Sequence, residues 1–225
     1  MDKRLRTSCL FSKGDQHVVV DTGPDFRQQM LRVGISSLEA VLLTHEHNDH
    51  VIGLDDVRPF NFRSGRDMPV LALPRVLGEV KKRFSYIFDA KAYPGIPRLN
   101  LRPIDKDQPF DIGGMHFQPI LVNHGKLPIL GFRLGDLTYI TDAKTIDESE
   151  LEKVRGSKYL VLNALHHKEH HSHLNLEQAL DIIYNIKPER AFLTHISHRM
   201  GKRAEVEKQL PDNVHLAYDG QELWF

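Results

Sequence analysis

The 225-residue chain has a single cysteine, Cys9, so no disulfide can close within it and no zinc site can be built from several of its own thiolates. Any metal must therefore be held by histidine and carboxylate. It has no excess of charge: thirty Lys and Arg balance thirty Asp and Glu, and neither half carries a like-charge run long enough to grip a polyphosphate. It also lacks an apolar run of membrane-spanning length. The basic opening MDKRLRTSCLF has no apolar stretch of the kind a secretory leader needs, and the expected location is cytoplasmic. No repeat and no low-complexity linker divides it. At 40% hydrophobic content it can bury one sizeable core, so a single domain over 1–225 is expected. What it does have is histidine, fourteen of them, and their positions carry the argument.

The β-branched run HVVVDTG (17–23) reads as a strand feeding a helix over 24–35, and LEAVLLT (38–44) as a second strand that stops abruptly at HEHNDH. VIGLDDVRPF follows as a short helix, MPVLALP (68–74) as a strand and 75–88 as an amphipathic helix before the Pro-rich turn at 93–97. From about 99 to 141 the short alternating runs LNLRPI, MHFQPILV, ILGFRL and LTYIT, separated by Gly and Asp, predict antiparallel strands without a helix. SKYLVLNAL (157–165) and RAFLTH (190–195) are predicted strands flanking a helix at 176–186. EVEKQL predicts a last helix, and HLAYDGQELWF a closing hairpin.

His45, His47, Asp49 and His50 offer four potential ligands in six residues. Alternation in an extended segment points His45 and His47 to one side, so one metal can take that pair. Asp49 and His50 come at the turn into the next element and can face a second cation, roughly 3.5–4 Å from the first in two-metal hydrolases. A solvated His-rich turn has no reason to follow a buried strand so closely.

THEHNDH resembles the His-x-His-x-Asp-His signature of the metallo-β-lactamase superfamily, and the resemblance extends over nearly the whole chain. HVVVDTG is similar to the strand preceding that signature, whose aspartate, here Asp21, supports the metal loop from behind. By the same resemblance His124 in VNHG is the next ligand, Asp142 in YITDA the bridging carboxylate and His195 in LTHISH the last histidine. Locally, each stands at the end of an apolar run or in a turn, where a capping residue is equally at home; their order and spacing together favour ligands. The resemblance implies an α/β fold class, the four-layer αββα sandwich. It implies two divalent metal ions, Zn or Mn: His45, His47 and His124 for one, Asp49, His50 and His195 for the other, with Asp142 shared. Two such cations bring the pKa of a shared water near neutrality, supplying hydroxide without a separate base. An aspartate at 142 speaks against the lactam-cleaving members, which generally carry cysteine there.

SHLNLEQAL followed by RAFLTHISHRM resembles the phosphodiesterase branch, especially the phosphoribosyl cyclic phosphodiesterases and, more distantly, the tRNA 3′-processing endonuclease Z. In that branch a histidine before this helix faces the scissile phosphate. The matching residue is His173, which would protonate the leaving oxygen or stabilise phosphoryl charge; Asp49 and His173 are the catalytic candidates. Most of the five histidines in HHKEHHSH (166–173) are expected to be solvated. His198 is a further candidate for substrate contact, and Arg58 reads equally as a phosphate contact or a surface ion pair. The expected function is hydrolysis of a small cyclic or linear phosphodiester, with nucleic acid and membrane not expected as partners and a homodimer left open. The alternatives are a tRNA-processing-type endonuclease, a glyoxalase-type thioesterase, and a non-catalytic metal- or nucleotide-binding protein. Relatives usually open with a strand and a Gly-Thr-Gly-Thr-Ser turn. This chain starts at the phrase that follows, so the first sheet is expected to lack that strand and its cover.

Overall fold

The apolar runs at 17–23, 38–44 and 68–74 form strands because their side chains are buried on both faces, as parallel strands covered by helices require. In the computed structural model, which describes residues 2–89 and 95–225, contacts divide the chain into two units. The first, Arg6–His116, contains β1 (Cys9–Lys13), β2 (Gln16–Val20), α1 (Phe26–Val33), β3 (Ala40–Leu42), α2 (Asn48–Val51), α3 (Arg58–Ser64), β4 (Met68–Ala72), α4 (Pro74–Arg83), β5 (Leu99–Pro103) and β6 (Phe110–Ile112). A 3₁₀ turn over Ile52–Val57 joins α2 to α3. The sheet order is β1-β2-β3-β4-β5, with β1 antiparallel to β2 and the rest parallel.

Helix packing in this unit follows the sequence. Phe26 and Met30, four residues apart, are the buried stripe of α1, which ends at Gly34 in the left-handed region with φ 69°. Pro74 starts α4 where its missing N–H costs nothing, and Lys81, Lys82 and Arg83 complement the negative helix end. Val76, Leu77 and Val80 face the core formed by Val19, Val41, Leu43 and Val70. Each such side chain, fully buried, stabilises by about 1.5–3 kcal/mol.

The second unit joins the residues up to Leu5 to Phe117–Phe225. Its elements are β7 (Met115–His124), β8 (Leu127–Leu134), β9 (Leu137–Ile140), α5 (Glu148–Val154), β10 (Tyr159–Asn163), α6 (Leu176–Ile186), β11 (Arg190–Thr194), α7 (Arg203–Val206) and β12 (Val214–Leu216). The order is β12-β11-β10-β9-β8-β7, antiparallel from β7 to β9 and parallel from β9 to β12. Asn175 caps α6 reciprocally with Gln178, and Leu176, Ala179, Ile183 and Ile186 bury its apolar face. Each unit thus ends its parallel strands on one edge, and chemistry in open α/β sheets collects at such edges.

Two expectations are corrected. LNLRPI does not begin an antiparallel array: β5 runs parallel to β4, because α4 and the chain after it return the polypeptide to the starting side of the sheet. HLAYDGQELWF forms no hairpin. Only Val214–Leu216 is a strand, parallel to β11, and the chain after it is met by the N-terminal segment: Arg4 Nε donates to the Ala217 carbonyl at 3.4 Å and the Leu5 N–H to Asp219 Oδ2 at 3.0 Å. Helix α5 leaves little apolar pattern in the sequence, because only Glu150 and Val154 of its seven residues are buried. The Pro-rich turn begins at 93–94, outside the described residues. Among the described residues, no helix is long and apolar enough to cross a membrane.

Candidate metal-binding site

In the first unit the site is built on Asp21, the residue after β2. It is fully buried and held at φ 64°, a strained conformation that persists only where its surroundings fix it. What fixes it is its carboxylate, which accepts from the Thr44 N–H at 2.9 Å, from Thr44 Oγ1 at 2.9 Å and from His50 Nδ1 at 2.7 Å. These bonds also place protons. A carboxylate acceptor holds the His50 proton on Nδ1 and leaves the lone pair on Nε2. The Thr44 hydroxyl spends its hydrogen on Asp21, so at 2.9 Å from His45 Nδ1 it accepts, and the His45 lone pair also lies on Nε2. That nitrogen is 2.9 Å from His47 Nδ1, and Asp49 Oδ2 is 3.7 Å from His50 Nε2. One buried aspartate therefore sets the tautomers of two histidines. The sequence named Asp21 but gave no role to Thr44, whose only signal is a hydroxyl between a strand and the first histidine.

Two glycines let this loop close. A Cβ on Gly23 would stand 2.2 Å from the Asp49 carbonyl oxygen, and one on Gly53 would stand 2.1 Å from the Gly23 carbonyl oxygen. The DTG turn and the ligand loop interlock backbone to backbone, with Thr22 N–H donating to the His50 carbonyl at 2.7 Å and Gly53 N–H to the Thr22 carbonyl at 2.8 Å. On the loop's outer side Arg75 is ion-paired with Glu46, and Arg83 Nη1 donates to the Glu46 carbonyl at 2.6 Å. Arg6 approaches Asp49 at 3.7 Å. Arg58, exposed at the start of α3, donates weakly to the Gly95 carbonyl at 3.4 Å.

In the second unit His124 ends β7, Asp142 lies just beyond β9 and His195 just beyond β11. Asp142 and His195 are again left-handed, with φ 57° and 50°. The Ser172 carbonyl accepts from His124 Nδ1 at 2.7 Å, which puts that lone pair on Nε2. Asp142 Oδ1 accepts from Thr141 Oγ1 at 2.7 Å and lies 3.1 Å from His195 Nε2. His173 stands between them. Its ring is 4.5 Å from that of His124 and stacks on that of His195 at 4.9 Å, and His124, Asp142 and His173 bring ligand atoms within 4.8 Å of one another. Burial outweighs the neighbouring Asp142 charge and pushes the His173 pKa down to about 3, so its imidazole is neutral at ordinary pH. Its Nδ1 is buried without a hydrogen-bond partner among the described residues.

The expected site residues thus fall into two groups, each gathered within its own unit: His45, His47, Asp49 and His50 in one, and His124, Asp142, His173 and His195 in the other. Of the remaining histidines in the 166–173 tract, His167 and His171 are exposed while His166 is buried, with Nδ1 lacking a described partner. His198 is exposed. The donor chemistry fits a divalent transition metal: the imidazoles of His45, His50 and His124 with the proton held on the far nitrogen, further imidazoles beside them, and carboxylates, with no thiolate among these residues.

Comparison with known proteins bears on what such residues serve. The model of the beta-lactamase superfamily domain matches residues 16–196. A crystal structure described as a new diphosphatase from the PhnP family superposes on the whole chain with a TM-score of 0.91 at 36% identity, covering 86% of that protein. The octanoyltransferase of Porphyromonas gingivalis is 42% identical over 98% of this chain, yet the chain spans only 45% of that protein's length. The Zn²⁺-bound PqqB of Methylobacterium extorquens, at 19% identity, covers 98% of the chain and 88% of that structure with a TM-score of 0.78, a likeness of fold.

Proposed function

This chain belongs to the metallo-β-lactamase superfamily and, within it, to the PhnP family, and from that premise we propose that it is a two-metal hydrolase of a small substrate whose reacting phosphorus carries two substituted oxygens, a phosphodiester or an esterified diphosphate. Hydrolase chemistry is common to the family; the phosphorus substrate is our reading. What carries it is the match to a diphosphatase over the whole chain, at an identity well above that of fold likeness alone.

On this reading His45, His47 and His124 hold one cation and Asp49, His50 and His195 the other, with Asp142 shared. Two divalent cations, when bound, supply the positive charge that lowers the pKa of a water and offsets charge on phosphoryl oxygens. The protein's own residues do the rest. Asp21 and Thr44 hold the protons of His50 and His45 away from the ligand nitrogens. Asp49 and Asp142 add negative charge that disfavours a phosphomonoester dianion over a diester monoanion. His173, held neutral by burial, serves as a hydrogen-bond donor to a phosphoryl or leaving oxygen rather than as an imidazolium acid. Zero formal net charge favours a small substrate over tRNA, whose binding relies on many cationic contacts.

The name of the Porphyromonas relative favours a second reading, acyl ester or thioester hydrolysis. Because the matched part is under half of that protein, its named activity can reside in the remainder. Protein reconstituted with Zn²⁺ or Mn²⁺ and assayed on bis(p-nitrophenyl) phosphate, p-nitrophenyl phosphate and an octanoyl thioester separates the readings. Turnover of the diester with little on the other two is expected. Comparable rates on the monoester would overturn the diester preference, and preference for the thioester would overturn the phosphorus reading.

A further inference from the structure

Asn163 is the last residue of β10 and fully buried, and in register it lies beside Thr194, the residue before His195. Its side chain does not continue the sheet. Asn163 Oδ1 accepts from the Ala143 N–H at 2.7 Å, and Asn163 Nδ2 donates to the Ala143 carbonyl at 2.9 Å. Both polar groups of the residue after Asp142 are thereby taken by one amide. The same Ala143 carbonyl accepts a second bond, from the Leu174 N–H at 2.8 Å, and Leu174 directly follows His173. A short path of hydrogen bonds therefore runs from the Asp142 turn through Ala143 to the His173 loop, with Asn163 anchoring its middle.

We infer that Asn163 is a positioning residue that sets Asp142 and His173 relative to each other, so that losing its amide donor displaces both together. Left-handed aspartate is strained and needs a neighbour that fixes the backbone. Thr141 holds the Asp142 carboxylate but not the backbone beyond it, and Asn163 holds both backbone groups of the next residue, Ala143. The inference rests on the reading of Asp142 as a metal ligand and of His173 as a substrate contact.

Asn163→Asp is the informative variant because its shape is unchanged. One carboxylate oxygen still accepts from the Ala143 N–H, while the other meets the Ala143 carbonyl oxygen as acceptor against acceptor. That carbonyl must move, and the Leu174 N–H loses its partner. Asn61 provides a matched control. It is a buried amide in α3 that clamps Arg98 in the same two-way manner, accepting from its N–H and donating to its carbonyl, both at 3.0 Å, and it touches none of the proposed ligands.

The experiment titrates the metal-free protein, Asn163→Asp and Asn61→Asp with Zn²⁺ against a chromophoric chelator. It also records His173 imidazole NMR signals, urea melts, and kcat and KM on bis(p-nitrophenyl) phosphate. For Asn163→Asp we expect Zn²⁺ affinity about 10–100-fold lower, a shifted His173 signal, and kcat about 10²-fold lower with KM little changed. Asn61→Asp should lose stability only. Unchanged affinity, His173 signal and kcat in Asn163→Asp, with a melt like that of Asn61→Asp, would overturn the inference. Should Asn163→Asp not fold, Asn163→Ser, whose hydroxyl is too short to span both Ala143 groups, is read against the same control by the same criteria. If the unaltered protein binds Zn²⁺ but cleaves no phosphodiester, the functional reading fails, while the affinity and NMR arms still decide the role of Asn163.

Discussion

Replacing Asp21 by asparagine should damage metal binding while leaving the fold in place. The native carboxylate is fully buried and accepts from the Thr44 N–H, the Thr44 hydroxyl and His50 Nδ1. Asp21→Ala would strand all three donors, at about 1–3 kcal/mol each, against a total stability of about 5–15 kcal/mol. That variant would sit at the edge of folding. Asparagine keeps the shape and tolerates φ 64°, but it offers one oxygen and one NH₂ where the native residue has two acceptors. Whichever way the amide turns, a donor faces a donor. The Thr44 backbone N–H cannot give up its proton, whereas an imidazole can move its own, so the amide nitrogen faces His50 Nδ1 and the ring proton shifts to Nε2. That is the nitrogen a cation needs, and shedding its proton should weaken binding about 10–100-fold, or about 1.4–2.7 kcal/mol. Chelator competition gives the affinity, and nitrogen chemical shifts of ¹⁵N-labelled histidine give the tautomer. Normal affinity in Asp21→Asn, or a His50 ring still protonated on Nδ1, would refute the argument.

Gly53→Ala places a Cβ 2.1 Å from the Gly23 carbonyl oxygen, so the backbone must shift; urea melts should show a loss of at least roughly 1–3 kcal/mol. His173→Ala should lower turnover by about 10²–10⁴-fold on a diester with an alkyl leaving group while metal content stays unchanged, and His166→Ala and His170→Ala should be nearly silent in the same assay. In the metal-free protein the His173 pKa, near 3 when folded and about 6.5 when unfolded, means that the unfolded state binds more protons between these values. The stability this group contributes is complete above about pH 6.5 and is lost as pH falls towards 3, so melts in that window should weaken more steeply for the native protein than for His173→Ala. Cys9, its thiol pushed up to about 12 by burial and then by Asp21, should resist iodoacetamide at pH 8 when folded and react once unfolded in urea.

The site was more legible in the sequence than the fold around it. His45, His47, Asp49 and His50 declare themselves because ligands must be close together, and a short extended segment is a local arrangement that residue spacing reports. Asp21, His124, Asp142 and His195 are single residues at strand ends and His173 a single residue before α6, and they stand out only through the order in which the family places them. Gly53 and Asn163 carry no signal, and Thr44 only a hydroxyl between a strand and the first histidine, because their roles depend on which groups lie opposite, and that is set by tertiary packing. The direction of β5 was misread for a related reason. Alternation of side chains is the same in parallel and antiparallel strands, and only the path of α4 decides between them. The C-terminal segment departs from a hairpin where it meets Arg4 and Leu5, more than two hundred residues away in sequence, a contact that no local pattern reports.

The proposal that these residues form one binuclear centre is tested most directly by elemental analysis of tag-free protein, purified without chelator and reconstituted with Zn²⁺ or Mn²⁺, alongside Asp142→Ala. About two equivalents per chain are expected, with Asp142→Ala retaining the fold and losing bound metal and most diester turnover. Less than about half an equivalent after reconstitution, or an Asp142→Ala variant with full metal content and normal turnover, would contradict the two-metal assignment.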